Sequence, residues 1–337
     1  MRIGLSYDLK EAVPLESVHP DDALEEYDSE ETVDGIAAAI EARGHRVVKL
    51  GGGREFLHRI LQEKVDLVFN IAEGLGNHSS REAQVPSVLE MLDINYTGSD
   101  PQCLAICQDK PLAKTLLRVA GILTPDWRVI RDTEQLRQAS WASFPLPCFV
   151  KPAHEGSSKG IRLVSRAESP EDIVHLSALL LEEYEQPVMV EEFIAGAEVT
   201  VGVGGSPVRI IGAMRVLPRQ GHDPNFVYSL EVKREWKKIV SYECPPRLPT
   251  IAMRQICRAS LKAFEVLGCR DVARMDFRVD ARGRPYLLEV NPLPGLRPGY
   301  SDLPMLAKGS GYTYNDLIAL VLNSALRRQN LCLAGSA

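Results

Sequence analysis

The sequence predicts an α/β domain with a parallel sheet, followed by an α+β region of short strands. Three observations predict it. Strand and helix signals alternate through the first hundred residues, which implies a parallel sheet covered by helices on both faces. After Pro125 the alternation stops and short strands dominate. The chain has 337 residues, and single cores stop growing at about 250–300 residues, so two or three domains around a cleft are expected.

Arg2 to Ser6 reads as the first strand, followed by a polar, acidic loop from Asp8 to about Ser29. Glu30 to Arg43 places Val33, Ile36, Ala37 and Ile40 at helical spacing. Strands are expected at Arg46 to Leu50, Val65 to Ile71 and Ile94 to Gly98, with helices at Arg54 to Gln62 and Arg81 to Leu92. Gly51-Gly52-Gly53 lies between a strand and a helix but lacks the GxGxxG pattern, so it reads as a turn. Pro101 to Ala120 reads as one long helix carrying Lys110 and Lys114, ended by Gly121 and Pro125. Short strands follow at Trp127 to Ile130, Pro147 to Lys151 and Gly160 to Val164, then a helix from Ser169 to Glu183 with Pro170 at its first position. Val188 to Ile194, Glu198 to Val203 and Arg209 to Arg215 are further strands. Gln220 to Pro245 is long enough for a mobile loop over a site. Thr250 to Leu267 is a helix. Asp271 to Val279 and Arg284 to Val290 form a hairpin, with Gly283 supplying the positive φ of its turn. A Pro/Gly-rich loop, Asn291 to Pro304, precedes a last helix from Tyr314 to about Arg327. The expected domains are 1–100, 101–185 and 186–337.

Composition excludes several classes. The hydrophobic fraction of 45% supports packed cores and excludes bulk disorder. A net charge of −6 argues against a dedicated nucleic-acid binder. No run has the length of a membrane span or a secretory signal. The seven cysteines show no paired CxxC motifs and fit a reducing cytoplasm. Cys103 and Cys107 share one helix face, as half of a metal site or as two small apolar residues.

Three segments carry chemistry. Glu289 and Asn291 are two apart on one strand, and Asp276 on its hairpin partner can face the same way. Three hard oxygen ligands suit Mg²⁺, although a solvated strand face has the same pattern. Arg274 falls on that face and can neutralise the carboxylates or meet an anion. Lys151 to Ile161, with Gly156, Ser157, Ser158 and Gly160, joins two strands and either wraps phosphate with backbone N–H groups or forms a plain hairpin loop. Val188 to Ile194 ends in Glu191 and Glu192, and reads as an edge strand or as an adenine-reading segment with Glu198 on the ribose.

In their order and spacing these segments resemble the D-alanine–D-alanine ligase family, within the ATP-grasp superfamily, from about Asn70 to the end. The resemblance implies an ATP-grasp fold with an N-terminal parallel α/β domain. It implies a carboxylate–amine ligase that joins two amino acids through an acyl phosphate, in the cytoplasm, for cell-wall peptidoglycan. It implies ATP held by Lys110, Lys151, Ser158, Glu191, Phe193, Ile194 and Glu198. Asp276, Glu289 and Asn291 would take two Mg²⁺ ions, with Mn²⁺ as substitute. Ser157 would lie over the phosphates, Arg274 and the Gly295 N–H would form an oxyanion hole, and Lys233 and Ser301 would meet the second substrate and the transferred phosphate. Amino acids are the implied partners, with a homodimer through the N-terminal domain.

The sequence departs from the family at substrate contacts. The N-terminal glycine-serine motif is absent, with Glu11 as a stand-in for its glutamate. Leu230 replaces a tyrosine, and Asp302 replaces an apolar residue after Ser301. A ligase for another amino acid or a secondary-metabolite precursor, and a nucleotide-binding module without catalysis, are therefore alternatives.

Overall fold

The computed structural model describes residues 1–13, 19–221 and 223–331. Residues 14–18 of the acidic loop and residue 222 of the expected mobile loop lie outside it. β1 (Arg2–Ser6) lies between and parallel to β2 (Arg46–Gly51) and β3 (Leu67–Asn70). The expected strand at 94–98 is reduced to one parallel bridge between Tyr96 and Val68. α1 (Glu30–Glu41) buries Val33, Ile36 and Ile40 against Ile3 and Leu5. α2 (Gly53–Gln62) and α3 (Gln84–Met91) cover the opposite face with Phe56, Ile60 and Leu89. Helices thus lie on both sides, as the strand–helix alternation requires.

The expected helix 101–120 is broken. α4 (Pro101–Gln108) and α5 (Lys110–Val119) meet at Asp109, whose ψ of 88° leaves the helical region. Pro111 has no N–H to donate to the Cys107 carbonyl, so one helix cannot run through unbroken. The Asp109 carboxylate caps α5 by accepting the Leu112 N–H at 3.0 Å, and the Lys110 N–H donates to the Ala153 carbonyl at 3.2 Å. The break brings Lys110 beside the glycine-serine loop.

The central sheet, in order β4-β7-β5-β6, is antiparallel. It comprises β4 (Trp127–Ile130), β5 (Cys148–Pro152), β6 (Arg166–Ala167) and β7 (Val188–Glu192), with α6 (Thr133–Gln138) and α7 (Pro170–Tyr184) packed on it. The strand expected at 160–164 is instead a turn. Gly160 has φ +69°, and Arg162 N–H donates to Ser165 Oγ at 2.9 Å. The expected division at 185/186 falls ahead of β7, which hydrogen-bonds to β4 and β5; the chain crosses to the next sheet after Glu192.

That sheet, in order β10-β9-β8-β11-β12, contains β8 (Ala197–Gly204), β9 (Arg209–Pro218), β10 (Val240–Glu243), β11 (Val272–Val279) and β12 (Pro285–Asn291). β10 and two short helices, α8 (Leu230–Arg234) and α9 (Trp236–Ile239), occupy the expected mobile loop. Alternation along β8 sends Val199, Val201 and Val203 into a core with α10 (Thr250–Val266). The other face carries Glu198, Thr200 and Gly202. α11 (Asp302–Gly309), which the sequence reading missed inside a Pro/Gly-rich stretch, packs there. A Cβ on Gly202 would stand 2.7 Å from a Leu303 methyl, so the glycine lets Leu303 and Leu306 of this helix pack closely on the strand. α12 (Tyr314–Arg328) returns to pack Leu317, Ile318 and Val321 into the core of β1 and α1. The face of β8 and β11 left uncovered by α11 is the floor of a cleft against the central sheet. No described helix is long and apolar enough to cross a membrane.

Candidate active site

The hairpin register sets the centre of the cleft. Asp276 pairs with Glu289 and Arg274 with Asn291 across β11 and β12, ahead of a bulge at Asp276/Phe277. Arg274 donates to Asp276 Oδ2 at 2.9 Å and stands 3.8 Å from Glu289 and from Asp302. Asn291 Nδ2 reaches Asp276 at 3.1 Å and Glu289 at 3.4 Å, and Thr200 Oγ1 donates to Asp276 at 2.9 Å. Burial, then the neighbouring Glu289, raises the Asp276 carboxyl against the pull of Arg274. Burial also opposes ionisation of Glu289, but Lys110, Lys151 and Arg274 hold it at about 2. Two carboxylates and an amide gathered on one strand face are a donor set that fits a hard divalent cation.

The lysines converge from two elements. Lys110 stands 3.7 Å from Glu289 and bonds the Glu155 carbonyl. Lys151 donates to Glu191 Oε2 at 2.8 Å. Glu191 is also paired with Lys114, a buried residue whose ammonium donates to Thr124 Oγ1 at 2.5 Å. Burial pushes Lys114 down to about 8, while Glu191 pulls the other way. The Glu191 side chain is therefore engaged by two lysines, and Lys114 is the buried partner the sequence did not reveal.

At the far end of the cleft, Arg278 was missed although it continues the 274, 276 alternation. It donates to Glu198 at 3.0 Å and to the carbonyls of Ile194 (2.8 Å), Phe226 (2.7 Å) and Pro224 (3.0 Å). Its guanidinium also lies 4.9 Å from the centre of the Phe193 ring. One side chain thus ties the end of β7 to the 220–245 loop. Phe193, Ile194, Glu198, Ser158 and Lys233 line this same cavity.

The glycine-serine loop is held from the acidic N-terminal stretch. Ser157 and Ser158 adopt left-handed φ of 50° and 65°, a cost that persists where surroundings enforce it. Glu26 pairs with Arg81 at 2.7 Å and Lys159 at 3.2 Å, and Glu155 pairs with Arg81 at 3.0 Å and Lys159 at 2.7 Å. Asp21 bonds Arg162, and Arg234 of α8 bonds Asp21 at 3.2 Å and Glu25 at 2.7 Å. Residues 21–26 thereby grip both loops.

A second chamber adjoins the first at Arg274. Ser157, Asn291, Gly295 and Ser301 line it together with Glu26, Asp28, Glu73 and Glu82. Glu11 is exposed and outside this lining. Ser301 Oγ accepts the Arg297 N–H at 3.1 Å, and Lys233, Ser301 and Asp302 meet at the opening between the chambers. All fifteen candidate residues therefore fall on the cleft, around Arg274 and the lysines.

A family model described as the D-ala D-ala ligase C-terminus matches residues 116–323. The D-alanine–D-alanine ligase of Aquifex aeolicus is 34% identical over 293 residues, covering 85% of this chain and 92% of that one. The ligase of the same name from Geobacter sulfurreducens is 34% identical over 291 residues, covering 86% and 87%. An uncharacterized protein, y4sG of Sinorhizobium fredii, is 30% identical over 312 residues, covering 88% and 87%. In fold, the D-alanine–D-alanine ligase of Bacillus anthracis solved with ATP superposes with a TM-score of 0.74 at 23% identity, covering 98% of this chain and 99% of that one. The VanG D-Ala:D-Ser ligase of Enterococcus faecalis does so at 0.72 and 20% identity, covering 96% and 99%. Two antiparallel sheets facing each other across a cleft with paired lysines and a carboxylate hairpin give this chain the ATP-grasp fold. It belongs to the D-alanine–D-alanine ligase family.

Proposed function

We propose that this enzyme joins two amino acids through an acyl phosphate made from ATP, with D-alanine as the leading substrate. The observation that carries this is one continuous site: Lys110 and Lys151 on one wall, and Arg274, Asp276, Glu289 and Asn291 on the other. Lys110 and Lys151 orient the ATP phosphates, with Ser157 and Ser158 above them. The segment Glu191 to Ile194 and Glu198 hold adenine and ribose. Asp276, Glu289 and Asn291 would hold two Mg²⁺ ions, or Mn²⁺, which when bound neutralise the crowded phosphate oxygens. The first substrate's carboxylate attacks the γ-phosphorus, the bond to the bridging oxygen breaks, and ADP leaves. The second substrate's amine then attacks the acyl carbon and phosphate departs. Arg274 and the Gly295 N–H stabilise the oxygen that gains charge. Lys233 and Ser301 hold the second substrate's carboxylate. Asp28 and Glu73, in the second chamber and without the lysine and arginine pairing of Glu26, take the first ammonium.

The test is mass spectrometry of products from ATP, Mg²⁺ and a panel of D- and L-amino acids, alongside phosphate release. D-alanyl-D-alanine with matching phosphate is the expected result. No stimulation by D-alanine overturns the substrate assignment. Asp302, a carboxylate 3.8 Å from Arg274 at the second-substrate end, favours a second reading in which that amino acid is not D-alanine. The same panel then yields a mixed dipeptide. We also propose that the chain pairs through its N-terminal domain, where Leu57 and Leu61 of α2 are exposed. Light scattering at a single-chain mass would exclude it.

A further inference from the structure

Three cysteines that the mechanism does not use converge inside the protein. Cys103 and Cys107 lie one turn apart on α4. Cys269 arrives from the turn between α10 and β11, 166 residues from Cys103. All three are buried, at 1%, 6% and 8% exposure. Their sulfur atoms lie within 4.8 Å of one another, and Cys103 Sγ is 3.7 Å from Cys269 Sγ.

We propose that Cys103, Cys107 and Cys269 form a structural site for a thiophilic divalent cation, with Zn²⁺ as its natural occupant. The spacing is the first support. A Zn–S bond of about 2.3 Å puts tetrahedral sulfur ligands roughly 3.8 Å apart, which the Cys103–Cys269 pair already matches. The ligand type is the second. Three soft sulfurs and no carboxylate select zinc over magnesium, so this site and the carboxylate hairpin would not compete for one ion. Binding exchanges three S–H protons for three metal–sulfur bonds, with no change of oxidation state. The fourth position is left to water or to Ser99, whose hydroxyl accepts the N–H of Arg270 beside Cys269 at 3.0 Å. Packing alone asks only for small apolar side chains at these positions. It does not ask three sulfurs from two distant segments to turn toward one point. A disulfide would use two of them and leave the third over.

The position gives the site a purpose. α4 runs into Asp109 and Lys110, and Cys269 precedes β11, which carries Arg274 and Asp276. A cation held by both segments would fix the phosphate-facing lysine relative to the carboxylate strand.

The test is a Co²⁺ titration of the full chain, purified with reductant and without chelator, in excess Mg²⁺ to occupy the carboxylates. Expected is one Co²⁺ per chain, a near-ultraviolet thiolate-to-cobalt absorption, its loss on adding one equivalent of Zn²⁺, and a raised Tm with Zn²⁺. Cys103→Ser and Cys269→Ser should each weaken binding at least tenfold, and the double variant should lose the absorption. A folded parent without that absorption overturns the proposal even if the variants do not fold. So does full absorption in the double variant, or an intact mass two hydrogens light without metal, which marks a disulfide.

Discussion

The buried carboxylate of Asp22 accepts the backbone N–H of Gly160 at 2.8 Å, joining positions 138 residues apart. Asp22 also accepts from Tyr184 Oη at 2.9 Å, and its neighbours Asp21 and Glu25 hold Arg234 in α8. The acidic stretch therefore fastens the glycine-serine loop and the 220–245 segment from one side. Asp22→Ala removes an acceptor and leaves the Tyr184 hydroxyl and Gly160 N–H unsatisfied. Hydrogen bonds to charged groups contribute about 1.5–3 kcal/mol, so the KM for ATP should rise roughly ten- to hundredfold. A looser loop admits water to the acyl phosphate, so phosphate release should exceed dipeptide formed. A variant with the parent's KM and a phosphate-to-dipeptide ratio of one removes the fastening role.

Lys114 and Lys151 share Glu191 but are expected to fail differently. Lys114 is 1% exposed and faces Glu191 and Thr124 rather than the cleft. Lys114→Met leaves part of a buried carboxylate unpaired, and breaking such a pair costs about 3–5 kcal/mol. Lys151 lines the cleft between the two antiparallel sheets. Lys151→Met breaks a buried pair with Glu191 as well, and should in addition raise the KM for ATP. Urea unfolding and ATP kinetics on both variants decide this. An unchanged KM for ATP in Lys151→Met would mean that this lysine, too, serves only the fold.

The hairpin chemistry was legible because period two is unambiguous: Arg274, Asp276, Glu289 and Asn291 must share a face once two strands are drawn. The same rule extended to Arg278, yet its role depends on carbonyls at 194, 224 and 226 that no local pattern brings together. Lys110 was found, but the break that aims it was not, because helical propensity is continuous across Asp109 and only the Pro111 ring and the Asp109 cap end it. The acidic residues 21–26 form no periodic element. Their partners, Arg81, Lys159, Arg162 and Arg234, come from three other parts of the chain, so their function was invisible until the fold was known.

Arg278 gives a third prediction. Arg278→Lys keeps a charge but cannot reach three carbonyls and Glu198 with a planar fork. The expected outcome is a rise of roughly tenfold in the KM for ATP with a smaller change in kcat, following loss of about 1–2 kcal/mol of hydrogen bonding. Protease cleavage within 220–245 should also speed up. An unchanged cleavage rate would show that the loop is not tethered through this residue.

Removal of divalent cation tests the hairpin directly. Chelation should abolish dipeptide synthesis, and Mg²⁺ or Mn²⁺ should restore it. Glu289→Gln should lower kcat by about a thousandfold or more, as expected where electrostatic stabilisation at the reacting phosphate is removed. Its stability should fall at neutral pH, because the amide gives up the charge that Lys110, Lys151 and Arg274 hold ionised. Parent-level turnover in this variant would place the chemistry elsewhere.

The second chamber predicts a pH dependence. Burial, with a smaller push from Asp8, raises the Asp28 carboxyl to about 7 against the hydrogen bond from Thr32. Its ordinary value is 3.8, so between 3.8 and about 7 the folded chain holds a proton that the unfolded chain releases. The stability this contributes is complete below the unfolded value and is lost as pH rises through about 7. Glu289, held at about 2, acts oppositely: its contribution is present above 4.5 and is lost as pH falls toward 2. Comparing the parent with Asp28→Asn cancels the groups they share. Between pH 4 and 8 the parent should lose stability relative to the variant as pH rises. The bound ammonium needs the ionised carboxylate, so the parent's KM for the first amino acid should fall across pH 6 to 8, and the variant's should be higher and fall less steeply. Parallel stability curves, with the same KM profile in both proteins, would remove Asp28 from the ammonium site.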